Sequence, residues 1–420
     1  MSRALGLAGV ACGPGVRLSV VFAAVGASTA VADTLVQAAF MARAGADALP
    51  WVLIVRSVLS PILAFLYTRY ARARPSASVL ATVAVLNACV ALFARFAIET
   101  GANGAIAAYA AHEVASSVLT MHWGIYLLDH LGGAQARRSV AVIYAASRGG
   151  AALAGIGLGL SSAYVDAESG LFVASGLFLL IAPLSFYPAR RKHADPLELD
   201  PTEPEEGTAD ADERKRGWQL LRRSPLLVWL CAATLVMVVV RITLRYGQQS
   251  ILQAYDEATL AGLLGWYTAA ANGLGIALQL LLTSRLLRSF GVGTTNLLYA
   301  VSTLVAHLAF AVLPGSVGVA LAARFTETEL KPALKTPVSP LFYGGFWGPD
   351  RVRARAFVLG VVSPASQLLG ALVLGALVLG DTALHTFGIV SAVLYVGACW
   401  AQGKAYEHAM ARGSLRATKG

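Results

Sequence analysis

A chain of 420 residues that is 57% hydrophobic, only 13% charged and of mean hydropathy +0.64 is too apolar for an ordinary soluble domain. Its net charge of +10 would suit a nucleic-acid binder, but most Lys and Arg sit in alternate short loops, so no nucleic acid polymer is implied. Cys12, Cys89, Cys231 and Cys399 are widely spaced without a CxxC pair, which points to neither a disulfide framework nor a metal site.

Twelve stretches approach the ~20 apolar residues that a bilayer-spanning helix needs. In chain order they cover residues 18–40, 49–67, 78–97, 104–128, 139–164, 170–187, 226–248, 259–283, 294–313, 315–334, 354–379 and 382–402. Upstream of them, MSRALGLAGVAC has the outline of a lipoprotein signal ending at Cys12, but its apolar run is short and Gly9 is unusual there. Arg69, Arg72 and Arg74 follow span two, Arg137 and Arg138 span four, and Arg190, Arg191 and Lys192 span six. Arg285 and Arg288 follow span eight, Arg351, Arg353 and Arg355 span ten, and Lys404, Arg412, Arg416 and Lys419 occupy the tail. The opposite loops hold Asp47, Glu99, Asp166, Glu168, Asp256, Glu257 and Asp381, with Arg43 their one clear cation and Arg95 close to that surface. This asymmetry predicts that both termini are cytoplasmic.

One charged, Pro-containing segment, PLELDPTEPEEGTADADERKRG, interrupts the apolar pattern and reads as a flexible linker. The expected organisation is a six-helix half over 1–187, a cytoplasmic linker over 188–224, a second six-helix half over 225–404, and a tail over 405–420. Near the end of the linker, Trp218, Leu220 and Leu221 beside Arg222 and Arg223 suggest a short interfacial helix.

Ionisable residues avoid every third span. They occur in spans one, two, four, five, seven and ten, with amides in eight and eleven, while three, six, nine and twelve are almost clean. A charge survives in hydrocarbon where it faces a protein interior or a wet cavity, so eight spans are expected to line something polar and four to face lipid. Two six-span halves lined in that order are the plan of a major-facilitator protein. The predicted fold class is therefore an all-α polytopic membrane protein.

Helical depth sorts the candidates. Asp33 late in span one and Arg56 early in span two lie at similar depth on adjacent helices, either as a structural salt bridge or as a gate. Glu113 in span four and Arg148 in span five each lie near the midplane, with the same two readings open. On span seven, Arg241, Arg245, Gln248 and Gln249 share a face, of which Arg241 is deepest; the others are expected to reach the outer interface. On span ten, Arg324, Glu327, Lys331 and Lys335 form one stripe, interrupted by Pro332 and Pro337, with Lys335 deep enough toward the cytoplasm to snorkel. Glu329 points elsewhere. Trp266, Tyr267 and Asn272 on span eight could stack on and hydrogen-bond a ring, though aromatics near span ends are commonly interfacial. Gly155, Gly157 and Gly159 lie in an apolar helix, where small residues permit close packing. No GxxxxGK[ST] loop and no catalytic triad spacing is present, so the chain is not expected to be an enzyme or to hold a cofactor.

Three blocks carry a family resemblance: ADTLVQAAFMARAGADALPWVLIVRSVL, YDEATLAGLLGWYTAAANGLGIALQLLLTSRLLRSFGVGTTNLL and ETELKPALKTPVSPLFYGGFWGPDRVRARAFVLGVVSPASQLLGALVLGAL. They resemble the ATP/ADP translocase (nucleotide transporter) family, most closely its free-living bacterial relatives. The resemblance implies the major-facilitator fold, a solute-transport role and a bacterial inner membrane. Two departures mark this chain. Characterised nucleotide exchangers carry a lysine in a Gly-Lys-Ser-Gly-Gly run of span eleven, where Ser366, Gln367, Leu368, Leu369 and Gly370 stand here. Many bacterial relatives have an acid before the tyrosine closing span seven, where Arg245 precedes Tyr246 here.

The candidate substrate-binding set is Arg148, Arg241, Arg324, Lys331, Asn272 and Gln367, and the coupling or gating set is Asp33, Arg56, Glu113 and Glu327. Cations outnumber carboxylates, so a small organic anion is the expected solute, a nucleotide or other phosphorylated metabolite included, moved by a monomer through exchange or proton coupling. A hydrophobic-drug exporter on the same fold, or a non-transporting protein such as a scramblase, is the alternative; an exporter would want an apolar, aromatic cavity with one or two acids.

Overall fold

The computed structural model describes residues 14–72, 74–130, 133–164, 166–186, 218–278, 283–346, 349–378 and 383–417. Cys12 and residues 188–217 of the expected linker lie outside them. The described residues are helical with short turns. Helices α1 (Pro14–Arg43), α2 (Leu49–Ala71), α3 (Ser76–Glu99), α4 (Ala102–His130), α5 (Gly133–Ser161) and α6 (Ala167–Leu184) precede the linker. After it come α7 (Pro225–Leu252), α8 (Glu257–Ala277), α9 (Thr283–Val312), α10 (Val317–Phe325), α11 (Pro349–Phe357 and Ser363–Val378) and α12 (Ala383–Ala417). The α12 helix runs well past residue 404, where the sequence reading started the tail; KAYEHAMA has no Gly or Pro to stop it.

Among the described residues, seven helical stretches are long and apolar enough to cross a membrane: Gly15–Arg43, Ala46–Ala71, Ser76–Glu99, Pro225–Leu252, Ser289–Val312, Asp350–Val378 and Leu384–Ala411. Outside this set are α4, α5, α6, α8 and the nine-residue α10, and α4 and α5 hold the candidates His112, Glu113 and Arg148. Exposed apolar side chains lie on the helices that the charge census assigned to lipid: Phe93 and Phe96 on α3, Phe172 and Leu179 on α6, Val301 and Val305 on α9, Val393 and Leu394 on α12. A further exposed apolar stripe, Val58, Ile62, Phe65 and Leu66, runs along α2, which the charge census had placed against a polar interior.

Two compact units are formed, and they do not follow the linker. The first comprises Met1–Ala48, Val58–Glu198 and Gln253–Ile276. Within it α1 packs on α4, α5 and α6, and α3 on α4 and α6. Glycine permits the α1–α5 approach: a Cβ at Gly26 would collide with the Ser147 carbonyl, and one at Gly150 with that of Ala23. On another face of α5, a Cβ at Gly155 would come within 2.6 Å of the Gly265 carbonyl oxygen of α8, and one at Gly159 within 2.6 Å of the Trp266 ring. Gly157, between them, meets nothing. The turn after α1 needs Gly45 at φ 76°, and the Ala46 amide then donates to Gln253 Oε1 at 2.6 Å.

The second unit comprises Leu49–Ser57, Leu199–Leu252 and Ala277–Gly420. Here α7 packs on α10, α11 and α12, and α9 on α10 and α12. Its core is built from Val240, Leu244, Tyr299, Phe310, Ala323, Leu334, Tyr395 and Cys399. Gly291, at φ 75°, bends α9 between a short leading piece and the span proper.

Two helices depart from α-winding. The α10 helix continues as a π-helix over Thr326–Lys335, and a π-helical turn, Val358–Val362, joins the two parts of α11. Pro332 explains the first: its ring crowds the carbonyl four residues back and it offers no amide, so a wider turn relieves the clash. The bond that would be i to i−4 is replaced by Thr336 N–H to Lys331 O, at 3.0 Å.

Candidate functional site

The wide turn of α10 fixes the polar interior of the second unit. Glu327 Oε1 accepts from Arg241 Nη2 of α7 at 2.9 Å, with the carboxylate largely shielded from solvent. Lys331, one turn on and half-buried, lies within electrostatic reach of Arg241, Glu327, Arg56 and Lys335. Arg324 is buried on the same helix. Arg241 thus pairs with Glu327 while Lys331 lies within electrostatic reach of both, and the buried Nε of Arg241 has no hydrogen-bond partner among the described residues. A guanidinium N–H shut away from water is costly to leave unmade and suits an anionic oxygen.

Lys335 does not snorkel. It is buried, donates to Asn296 Oδ1 of α9 at 2.6 Å, and lies 6.0 Å from the Tyr395 ring centroid. Asn296 in turn donates to Gln402 Oε1 of α12 at 3.2 Å. The stripe expected from ordinary helical spacing is thus divided. Its outer members meet α7, while its last member is locked among α9 and α12. Gln248 and Gln249 are buried as well, not extended to an interface.

In the first unit, Asp33 of α1 faces His112 of α4, Oδ1 to Nε2 at 3.7 Å; the imidazole is buried and the carboxylate 43% exposed. Sequence spacing had offered Asp33 only Arg56, because a histidine on span four gives no sign of which helix it faces. Glu113 is buried beside His112, and Arg148 on α5 is half-buried next to the Ser147–Gly26 approach. His122 is structural. Its Nε2 bonds the Ser76 carbonyl at 2.7 Å, which must accept, so the neutral ring receives the Tyr67 hydroxyl at Nδ1, also at 2.7 Å.

The most connected charged group of this unit escaped the sequence reading as a site. Arg43, closing α1, donates from Nε to Glu257 of α8 at 2.8 Å, from Nη2 to Glu168 of α6 at 2.5 Å, and from Nη1 to the Ile98 carbonyl of α3 at 2.8 Å. Arg95 extends the set, binding Glu99 at 2.5 Å and Glu168 at 3.4 Å. The signal was present as the one cation among acidic loops. Asp256 caps α8 beside this network: Thr259 Oγ1 and its backbone N–H both donate to the carboxylate, holding it below the usual carboxylate range.

The remaining candidates are less committed. Asn272 Nδ2 is spent on the Thr268 carbonyl of its own helix at 2.9 Å. Gln367 is half-buried on α11, beside Ser366, which bonds the Val362 carbonyl. Trp266 rests on Gly159 of α5, which gives that aromatic a packing role.

No family model matches the sequence, and no curated protein matches it. Solved structures do match. The nucleoside transporter NupG aligns with a TM-score of 0.62 at 12% identity over 94% of this chain and 99% of its own. A bacterial homologue of the iron transporter ferroportin, inward-facing, gives 0.62 at 12% over 92% and 98%. The xylose transporter XylE from E. coli, inward open, gives 0.58 at 12% over 91% and 94%. With its helices and polar interior already described, the chain has the all-α major-facilitator fold of these transporters, and among the described residues seven helical stretches are long and apolar enough to cross a membrane.

Proposed function

We propose that this chain is a secondary transporter working by alternating access, and that its solute is a small organic anion, a nucleotide or another phosphorylated metabolite included. The carrying observation is the Arg241 guanidinium, paired with Glu327 through Nη2, with Lys331 within electrostatic reach and the buried Arg241 Nε without a hydrogen-bond partner among the described residues. An anion supplies the missing acceptor. Solute binding then loosens the Arg241–Glu327 pair by competing with Glu327 for the guanidinium, which links occupancy to the α7–α10 contact. Arg324 and Gln367 complete the binding surface of the second unit in this reading, and Arg148 is a separate candidate in the first unit. Asp33 with His112, and Glu113, are the groups that would carry a coupling proton.

The halves 1–187 and 225–404, joined by 188–224, would rock against each other, with both termini cytoplasmic in a bacterial inner membrane. Within the first unit, the Arg43–Glu257 bond, the Ala46–Gln253 bond and the glycine contacts of α5 with α8 each join a segment before the linker to one after it, and they are the contacts that such motion would have to release. The resemblance to ATP/ADP translocases favours phosphorylated solutes, while Gln367, in place of the exchangers' lysine, favours a ligand of lower charge than ATP.

The test is uptake into proteoliposomes of labelled nucleotides, sugar phosphates and dicarboxylates, beside neutral nucleosides and sugars. Saturable uptake of an anion, reduced at least about tenfold by Arg241→Ala, is the expected result. Uptake confined to neutral or cationic solutes would refute it.

A further inference from the structure

The short helix 218–223, ahead of α7, has two chemically distinct sides. Leu220 and Leu221 pack on the buried cluster of Leu226, Leu230, Phe342, Phe346 and Phe357. Trp218 meets Phe357 edge-on at 5.0 Å between ring centroids, yet remains 54% exposed. Arg222, one turn beyond Trp218 on the same face, and Arg223 are both exposed.

The Trp218–Phe357 contact also brings this helix to the start of α11. That segment reads PDRVRARAF, with Arg351 and Arg355 exposed and Arg353 paired to Asp350 at 3.1 Å. Arg355 precedes Phe357 by two residues. All these residues belong to the second unit. The surface therefore combines a half-exposed indole, which partitions to the membrane–water boundary, with four exposed guanidinium groups, and Asp350 beside them is held by Arg353. Loop arginines that only set topology can lie anywhere along a loop. Here the leucines and Trp218 fix the helix bearing Arg222 and Arg223 onto the body of the second unit.

We infer that this surface is a binding site for the headgroup of an anionic phospholipid in the leaflet that faces the arginine-rich loops. The guanidinium groups hydrogen-bond the phosphate, and Trp218 lies against the upper acyl and glycerol region. The inference stands apart from the transported solute, since none of these residues belongs to the Arg241 set.

The full chain is placed in nanodiscs of mixed phosphatidylglycerol and phosphatidylcholine, then released and examined by native mass spectrometry for retained lipid. Phosphatidylglycerol should be retained over phosphatidylcholine by at least about fivefold. That preference should vanish in the Arg222→Gln/Arg223→Gln double variant and persist in Arg222→Lys/Arg223→Lys, which keeps the charge. Should the glutamine variant fail to fold, Arg351→Gln and Trp218→Ala read the same surface, and each should lower the preference. Equal retention of both lipids, or a preference untouched by the folded substitutions, overturns the proposal. So does loss of the lipid to millimolar inorganic phosphate but not to chloride of equal ionic strength, because the site would then serve a soluble anion.

Discussion

Removing the Arg43 side chain should shift the population of the state in which α8 lies against α1 and α5. Arg43 makes three charge-assisted bonds, to Glu257, Glu168 and Ile98, but only the first ties α8 to the rest of the unit. A fully buried bond of this kind contributes about 1.5–3 kcal/mol. Side-chain exposures of 29% for Arg43 and 19% for Glu257 call for a discount, leaving about 1 kcal/mol for that bond. Glu257→Gln should therefore change the equilibrium about fivefold. Arg43→Ala goes further, because Glu168 and Glu257 then face each other with only Arg95 near, 3.4 Å from Glu168. About 2 kcal/mol, or roughly thirtyfold, is expected there. Ser162 supplies the reporter: its hydroxyl lies where a Cβ on Gly262 of α8 would be 2.6 Å away, so the site is covered while α8 is seated. A cysteine at Ser162, in a background lacking the native cysteines, should react with a water-soluble maleimide about five and about thirty times faster in the two variants. An unchanged rate in folded Arg43→Ala protein would show that the network does not hold α8 in place.

Other perturbations probe other contacts. Glu327→Gln should weaken the hold on Arg241 and raise anion affinity in a binding assay, while Arg241→Ala should abolish binding; equal behaviour of the two variants would remove the pair from the site. Asn296→Leu deprives the buried Lys335 ammonium of its 2.6 Å acceptor and should cost about 2–3 kcal/mol, seen as a lowered melting temperature in detergent; Asn296→Asp, which keeps an acceptor, should recover most of it. Gly150→Leu should prevent α1 and α5 from closing, because even its Cβ meets the Ala23 backbone; normal yield of a monodisperse variant would contradict that geometry. The Asp256 carboxyl, lowered by Thr259, stabilises the first turn of α8 above the ordinary carboxylate pKa and loses that effect as pH falls through its depressed value. Amide exchange at the start of α8 should accelerate over that acidic range in the wild type, and Asp256→Asn should remove the dependence.

The sequence made the helices and their surroundings legible because hydrocarbon penalises charge so strongly. Thus the absence of charge assigned spans three, six, nine and twelve to lipid, and Phe96, Leu179, Val301 and Leu394 on those helices are exposed. Residue type and depth placed Arg241, Glu327 and Lys331 in the interior. Pairing was less legible, since it depends on helix rotation. Asp33 finds His112 across an interhelical space that spacing within one helix does not encode. Lys335 was misjudged for a related reason. A lysine one turn from a membrane surface can reach water, but Asn296 and Gln402 on separate helices offer a nearer acceptor. The π-helix around Pro332 was visible only as an interruption, because the proline forbids regular winding without dictating what replaces it. Arg43 was read as an exception to a topology rule, although its three acceptors come from elements up to 214 residues away in sequence.

The glycines of α5 have a mechanical consequence. Where Gly155 meets Gly265, main chain lies nearly against main chain, and one turn on the flat Trp266 ring lies over Gly159. Surfaces joined by interdigitated leucines must pull each residue from its socket and reset rotamers before they slide. A smooth seam gives up only dispersion contact as it moves, so its resistance rises gradually. That is the property of a bearing, and it leaves the strength of closure to be set by the few polar bonds at its rim.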